Sequence, residues 1–136
     1  MPGKCDGQVV IVTGAGRGLG RAHALALASE GAFVLVNDLG VSRDGESTEF
    51  SPADQVVSEI LEMGGKAEAN SADVADWEQA EKMVSHAVEK WGRLDALICN
   101  AGFLRDRMLV GMSEEEWDSV IRVHLKGHFA PARHAA

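Results

Sequence analysis

Between Thr13 and Gly20 the chain reads Thr-Gly-Ala-Gly-Arg-Gly-Leu-Gly. Side-chain-free positions of this kind let backbone N–H groups approach a phosphate at the start of a helix. The spacing is particular: read from Gly14 and Gly16, the general Gly-x-Gly-x-x-Gly pattern fails, because Leu19 stands where the third glycine belongs. Gly14, Arg17, Gly18, Leu19 and Gly20 are therefore the loop residues expected to border a pyrophosphate. About 20 residues further on, Asp38 ends a β-branched run, with Leu39 beside it, where a carboxylate can accept hydrogen bonds from the hydroxyls of an adenosine ribose. Such a carboxylate would repel a 2′-phosphate, so the pair of features predicts NAD. Arg17 is the opposing signal, since a basic loop residue would attract that phosphate and keeps NADP as the less favoured alternative; a like charge held close to a phosphate outweighs a flexible surface arginine. Blander readings exist for both, a turn needed only for close strand–helix packing and a simple strand-end turn residue. His124 and His128 have the i, i+4 spacing of paired metal ligands, but no His-Glu-x-x-His pattern and no third ligand accompanies them, so no metal is expected.

The elements that must carry these residues follow from periodicity and punctuation. Gln8 to Val12 predicts a first strand, followed by a helix to about Glu30, with Gly31 in the position that needs a left-handed residue. Ala32 to Asn37 predicts a second buried strand. A polar loop is expected over 40–50, after which Ser51 and Pro52 supply an N-cap and a first helical position for a helix to Met63. Lys66 to Asn70 predicts a third strand, Asp76 with Gln79 a capping-box-like start to a helix ending near Trp91, and Leu94 to Cys99 a fourth strand. The last helix should start at Ser113 with Glu116 as its capping partner. Its core-facing stripe should be Trp117, Val120, Ile121, His124, Leu125 and His128, and Pro131 should kink or end it. Strands alternating with helices predict a Rossmann-like, doubly wound α/β fold with a parallel sheet, one domain over 1–136.

Bulk properties narrow the function classes. Hydrophobic residues at 46% and charged residues at 25% are those of an ordinary globular chain. A formal net charge of -8 argues against nucleic acid, whose recognition rests on clustered Lys and Arg. Cys5 and Cys99 form no Cys-x-x-Cys, and no apolar run is long enough to span a bilayer. With no signal-like start at Met1 to Asp6, the expectation is a cytoplasmic protein without a membrane partner.

Thr13, Gly14, Gly18 and Gly20 match Thr-Gly-x-x-x-Gly-x-Gly, and on this motif the chain resembles the short-chain dehydrogenase/reductase family. Asp73-Val74, after the third strand, resembles the family's pair that contacts adenine, and Asn100-Ala101-Gly102, after the fourth, its Asn-Ala-Gly motif. Val36 to Gly40, Leu104 to Arg107 and Val123 to Gly127 are similar to the (3R)-hydroxyacyl-CoA dehydrogenase domain of peroxisomal multifunctional enzymes and their bacterial relatives. The resemblance implies an NAD(P)-dependent oxidoreductase acting on a hydroxyacyl-CoA, a hydroxysteroid or a similar alcohol or ketone. In most of that family an asparagine of the catalytic group stands where this chain has His124.

The family's proton relay, a serine and a Tyr-x-x-x-Lys, has no counterpart here, since the 136 residues contain no tyrosine. No catalytic residue is therefore assigned. The expectation is a partial NAD-binding domain, cut after the fourth strand and its following helix, inactive alone and inclined to self-associate through the uncovered last helix. The alternative is a non-catalytic member of the family that binds a nucleotide or a partner protein without turnover.

Overall fold

The computed structural model describes residues 3–40 and 51–136; most of the polar loop expected over 40–50 lies outside them. In chain order the elements are β1 (Val9–Val12), α1 (Gly18–Ser29), β2 (Phe33–Asn37), α2 (Pro52–Glu62), β3 (Lys66–Asn70), α3 (Trp77–Trp91) and β4 (Ala96–Ile98). A 3-10 turn (Leu109–Gly111) leads into α4 (Glu114–Ile121), a π-helical stretch (Arg122–Lys126) and α5 (Gly127–Ala135).

The strands pair in parallel in the order β3-β2-β1-β4, with Val10 of β1 opposite Val34 of β2 on one side and Ala96 of β4 on the other. Alternate strand residues point to opposite faces, and each face has its own core. Val10, Val12, Val34 and Val36 pack with Ala24 and Ala28 of α1 and with Val56 and Ile60 of α2. Val9, Ile11 and Leu35 pack with Met83, Val84 and Ala87 of α3, and Ala135 of α5 rests on this second core. The result is the doubly wound, Rossmann-like α/β sheet. Successive strands step from β1 to β3 one way and then jump to β4 on the other side of β1, so the strand order reverses beside β1, where such sheets form a ligand crevice.

Local signals explain why the helices begin and end where they do. Ser51 accepts a hydrogen bond from the Asp54 N–H (3.4 Å) ahead of Pro52, and Ser113 and Glu116 form a reciprocal capping box. Gly31 follows α1 with φ +93°, a conformation costly for any residue with a Cβ. The start of α3 departs from expectation in one respect: Asp76 caps the Gln79 N–H (2.9 Å), but the Gln79 side chain accepts from Asp73 N–H (3.0 Å) instead of closing a box.

The last helix needs correction. Its expected core stripe faces outward: Trp117 is 56% exposed and Leu125 66%, while His124 and His128 are also exposed. The residues that bury are Gly127, Ala130 and Pro131. For Leu125 and His128 the cause includes the π-helical stretch between α4 and α5; Trp117 lies ahead of it, in α4, which buries no residue at all. An i→i+5 turn holds more residues than an α-turn, so a stripe counted at constant helical spacing through it loses its register. Pro131 does not end the helix, which runs on to Ala135, although its missing N–H leaves the Gly127 carbonyl without the usual intrahelical donor.

Candidate functional site

The β1–α1 loop is stitched to the end of β4 by a buried hydroxyl. Thr13, fully buried, accepts at Oγ1 from the N–H groups of Asn100 (3.0 Å) and Ala101 (3.1 Å), and its own proton points to the Ile98 carbonyl (3.4 Å). Asn100 returns a bond from Nδ2 to the Gly14 carbonyl (3.1 Å). A Cβ on Gly14 would lie 2.7 Å from Ala101 Cα, and Gly14 also takes φ +62°. One on Gly20 would overlap the Gly14 carbonyl and sit 2.5 Å from Asn100 Nδ2. These two glycines let strand, loop and helix close to backbone contact.

The start of α1 differs from every other α-helix start that follows a loop. Side chains cap α2, α3 and α4 (Ser51, Asp76 and Ser113), and each carries an acid in its first turn. At α1 the N-cap is Arg17, extended at φ -150° and ψ 164°, with no side-chain cap and no first-turn acid. Its leading N–H groups and the positive end of the helix dipole are therefore left without a capping side chain or an acid of the helix's own first turn. That donor set fits a diphosphate. Gly18, at φ +57° with open space around it, gives the left-handed step that turns the chain into the helix.

Asp38 sits across the loop at the end of β2. Its Oδ2 accepts from the Gly16 N–H (3.0 Å) and its Oδ1 from the Gly40 N–H (2.9 Å), which fixes the carboxylate plane. Beneath it, buried Asn37 donates from Nδ2 to Asn70 Oδ1 and to the Ala72 carbonyl (both 3.0 Å), tying the ends of β2 and β3 together. Past β3, Asp73 accepts from the Ala75 N–H (2.9 Å) at Oδ1 and from Arg122 Nη2 (2.9 Å) at Oδ2. Val74 is buried beside it.

These pieces line one cleft of about 470 Å³ at the carboxyl ends of the strands, within the range of small-molecule and cofactor pockets. Gly14, Arg17, Leu19, Asp38, Leu39, Asp73, Val74, Asn100, Ala101 and Gly102 all border it; Gly18 and Gly20, expected there too, do not line it. Sequence reasoning missed Asn37, Ala72, Phe103, Arg105 and Val123, which also line the cleft, and Gly16, whose N–H bonds to Asp38. Gly16 carries a signal in hindsight, as a fourth loop glycine. Asn37, Ala72 and Phe103 stand next to expected residues, while Val123 reaches the cleft from a segment far along the chain, which spacing does not show. Arg105 stacks on the Phe103 ring, 4.5 Å from its centroid. Cys99, just before Asn100, is half-buried and its thiol pKa is pushed up by burial, so it is a poor nucleophile.

His124 has partners. Its Nε2 lies 2.9 Å from the Phe103 carbonyl oxygen and 3.2 Å from the Phe103 amide nitrogen. With the proton on Nε2 it donates to the carbonyl; as the other tautomer it accepts from the amide. Among the described residues no group of three or more His, Cys, Asp or Glu side chains is placed to hold a metal ion.

The family model for short chain dehydrogenase matches residues 8–136. The chain is 52% identical over 134 residues, 98% of its length, to the peroxisomal multifunctional enzyme type 2 of Mus musculus, of which it covers 18%. It is 45% identical over 131 residues, 96% of its length, to the hydroxyacyl-CoA dehydrogenase ChsB1 of Mycobacterium tuberculosis, of which it covers 40%. A crystal structure of a short chain dehydrogenase from Mycobacterium avium superposes with a TM-score of 0.91 at 59% identity, over 98% of this chain and 46% of that one. The chain thus spans less than half the length of each of these relatives. A glycine loop joined to the end of β4 through Thr13 and Asn100 lies within this match, which runs over nearly all of the sequence, and the chain belongs to the short-chain dehydrogenase family.

Proposed function

We propose that residues 1–136 form a single NAD-binding unit of an oxidoreductase whose whole protein acts on a hydroxyacyl-CoA, a hydroxysteroid or a similar alcohol or ketone. Relatives named as hydroxyacyl-CoA dehydrogenase and multifunctional enzyme support the substrate class. The observation that carries the choice of NAD is Asp38, a carboxylate clamped by two backbone N–H groups at the edge of the cleft. In this reading Gly14, Arg17, Gly18, Leu19 and Gly20 hold the pyrophosphate and Asp38 with Leu39 the adenosine ribose. Asp73 and Val74 flank the adenine, and Asn100, Ala101 and Gly102 back the remainder of the cofactor. Bound NAD supplies the hydride-accepting ring; the chain itself binds it, orients it and excludes water from one side.

Titration calorimetry with the two cofactors tests this. NAD should bind about tenfold or more tightly than NADP, the effect of a charge-assisted hydrogen bond exchanged for a like-charge contact. Equal binding, an NADP preference or no binding at millimolar cofactor would each overturn the assignment.

A second reading has its own observation, the lack of any tyrosine in the 136 residues. In that reading residues 1–136 hold nucleotide or a partner protein without turnover of their own. NAD reduction by the purified chain with a hydroxyacyl-CoA would eliminate that reading; tight binding without reduction would favour it. For assembly, we propose self-association through the exposed face of α4 and α5, where Trp117, Leu125 and Phe129 are uncovered; sedimentation as a stable monomer would remove it. Among the described residues no helix is long and apolar enough to cross a membrane. Two free thiols, Cys5 and Cys99, fit a reducing compartment, for which we propose the cytoplasm, and relatives with peroxisomal names make that organelle the alternative to test by localisation.

A further inference from the structure

We propose that the π-helical stretch Arg122–Lys126 is a brace that sets the width of the nucleotide cleft, with Arg122 and His124 as its positioning residues. The inference rests on the NAD-binding reading for its ligand, not for its geometry. The two walls of the cleft rise from the ends of β3 and β4, the outermost strands of the sheet, with β2 and β1 between them. No ladder joins those walls to each other. Three consecutive residues of the π-helical stretch do. Arg122 donates from Nη2 to Asp73 Oδ2 (2.9 Å) on the β3 side, Val123 lines the cleft between the walls, and His124 meets the Phe103 backbone (2.9 Å to the carbonyl oxygen) on the β4 side.

The seating at both ends is too tight for a side chain. A Cβ on Gly102 would lie 2.9 Å from His124 Nε2, and one on Gly127, next after the stretch, would lie 2.9 Å from Val74 Cγ2. Each wall is thus pinned twice, by a polar bond and by a contact that only glycine permits. Helical irregularities of the π type carry an energetic cost and concentrate at functional positions. Here the irregularity lies where adjacent residues reach opposite walls.

Titration with NAD and with ADP, on the wild type and on Arg122→Ala, His124→Ala and His124→Gln, tests the brace, together with amide hydrogen exchange. Arg122→Ala should weaken ADP and NAD alike, by up to about fivefold, the reach of one partly exposed ion pair. His124→Ala should weaken NAD by about fivefold and lower the ratio of NAD to ADP affinity, because Phe103 stands on the wall away from Asp73. His124→Gln, whose amide reaches where Nε2 stands, should restore that ratio. Without nucleotide, exchange should quicken at 73–75 in the first variant and at 101–103 in the second. Wild-type affinities and wild-type exchange in both alanine variants would overturn the brace, as would equal losses of both ligands with exchange raised throughout the chain. If the wild type binds neither nucleotide, the functional reading fails, and the local exchange pattern alone decides the brace.

Discussion

The Asp38 carboxylate and the Gly16 backbone are fitted to each other. Oδ2 accepts the Gly16 N–H at 3.0 Å, and a Cβ at position 16 would lie 2.7 Å from that same oxygen and 2.5 Å from Pro52 Cβ. Only glycine lets the loop lie against the carboxylate, so the geometry of the ribose site depends on a loop residue as much as on Asp38. Asp38→Ala should lower NAD affinity roughly tenfold or more, the measure of a lost charge-assisted bond. With Arg17 still in the loop, NADP should lose less, narrowing or reversing the preference. Calorimetry of both cofactors on the variant checks this, and an unchanged ratio would remove Asp38 from the site.

The loop glycines should not be equivalent. Gly18→Ala meets open space and carries only the left-handed penalty, about 1–2 kcal/mol. Gly14→Ala adds to that penalty a clash with Ala101 backbone, overpacking that costs about 1–3 kcal/mol more; Gly20→Ala, helical and free of the left-handed penalty, meets the overpacking alone, against the Gly14 carbonyl. Denaturant midpoints should therefore fall less for Gly18→Ala than for Gly14→Ala. A larger drop at Gly18 than at Gly14 would contradict the packing described.

Thr13→Val isolates the stitch between β1 and β4. It keeps shape but leaves the N–H groups of Asn100 and Ala101 without their shared acceptor in a buried setting. The expected loss is about 1–3 kcal/mol for each stranded donor that water does not reach. Thr13→Ser, which keeps the oxygen, should recover most of it. Urea denaturation of the pair distinguishes a lost hydrogen bond from a lost methyl group.

Much of this site was legible in the sequence, because its residues sit at strand ends that glycines and capping residues mark out. Gly31, Ser51 and Ser113 fixed helix boundaries through local chemistry alone. Asp38 and Asn100 followed from their strands. What sequence reading did not reach depends on partners far along the chain: Thr13 meets Asn100, and Asp73 meets Arg122. The outward face of Leu125 was misjudged for a related reason, since a π-helical turn leaves no periodic signature and shifts every later residue around the axis, whereas Trp117 precedes that turn in a helix that buries no residue.

Acid should weaken the fold through its paired carboxylates. Asp95 is held below its ordinary value by the Arg93 guanidinium first and by the Val9 N–H second, and Glu116 chiefly by Arg107. A carboxylate with a lower pKa folded than unfolded binds fewer protons when folded, so stability from these groups is complete above the ordinary carboxylate range, near pH 4. It is lost as pH falls from there through the lowered folded values. Asp95→Asn should flatten part of that acid slope while leaving the curve between pH 6 and 8 parallel to wild type (roughly constant with pH). Urea midpoints measured from neutral to acidic pH on both proteins decide it.

Arg17 offers a substitution in which stability and binding should move in opposite directions. It occupies the N-cap of α1 in the extended conformation that capping residues use, yet no side chain caps this helix and no acid lies in its first turn. Arg17→Asp would place a carboxylate where it can accept the orphan N–H groups, which should stabilise the helix by about 1 kcal/mol. The same carboxylate would occupy the donors proposed to hold the pyrophosphate and would repel its charge. The variant should therefore unfold at a higher urea concentration than wild type while losing nucleotide affinity by more than about tenfold. Stabilisation with binding intact would show that the start of α1 is not where the phosphates lie. Loss of both would mean that Arg17 has a structural partner whose removal outweighs the new cap.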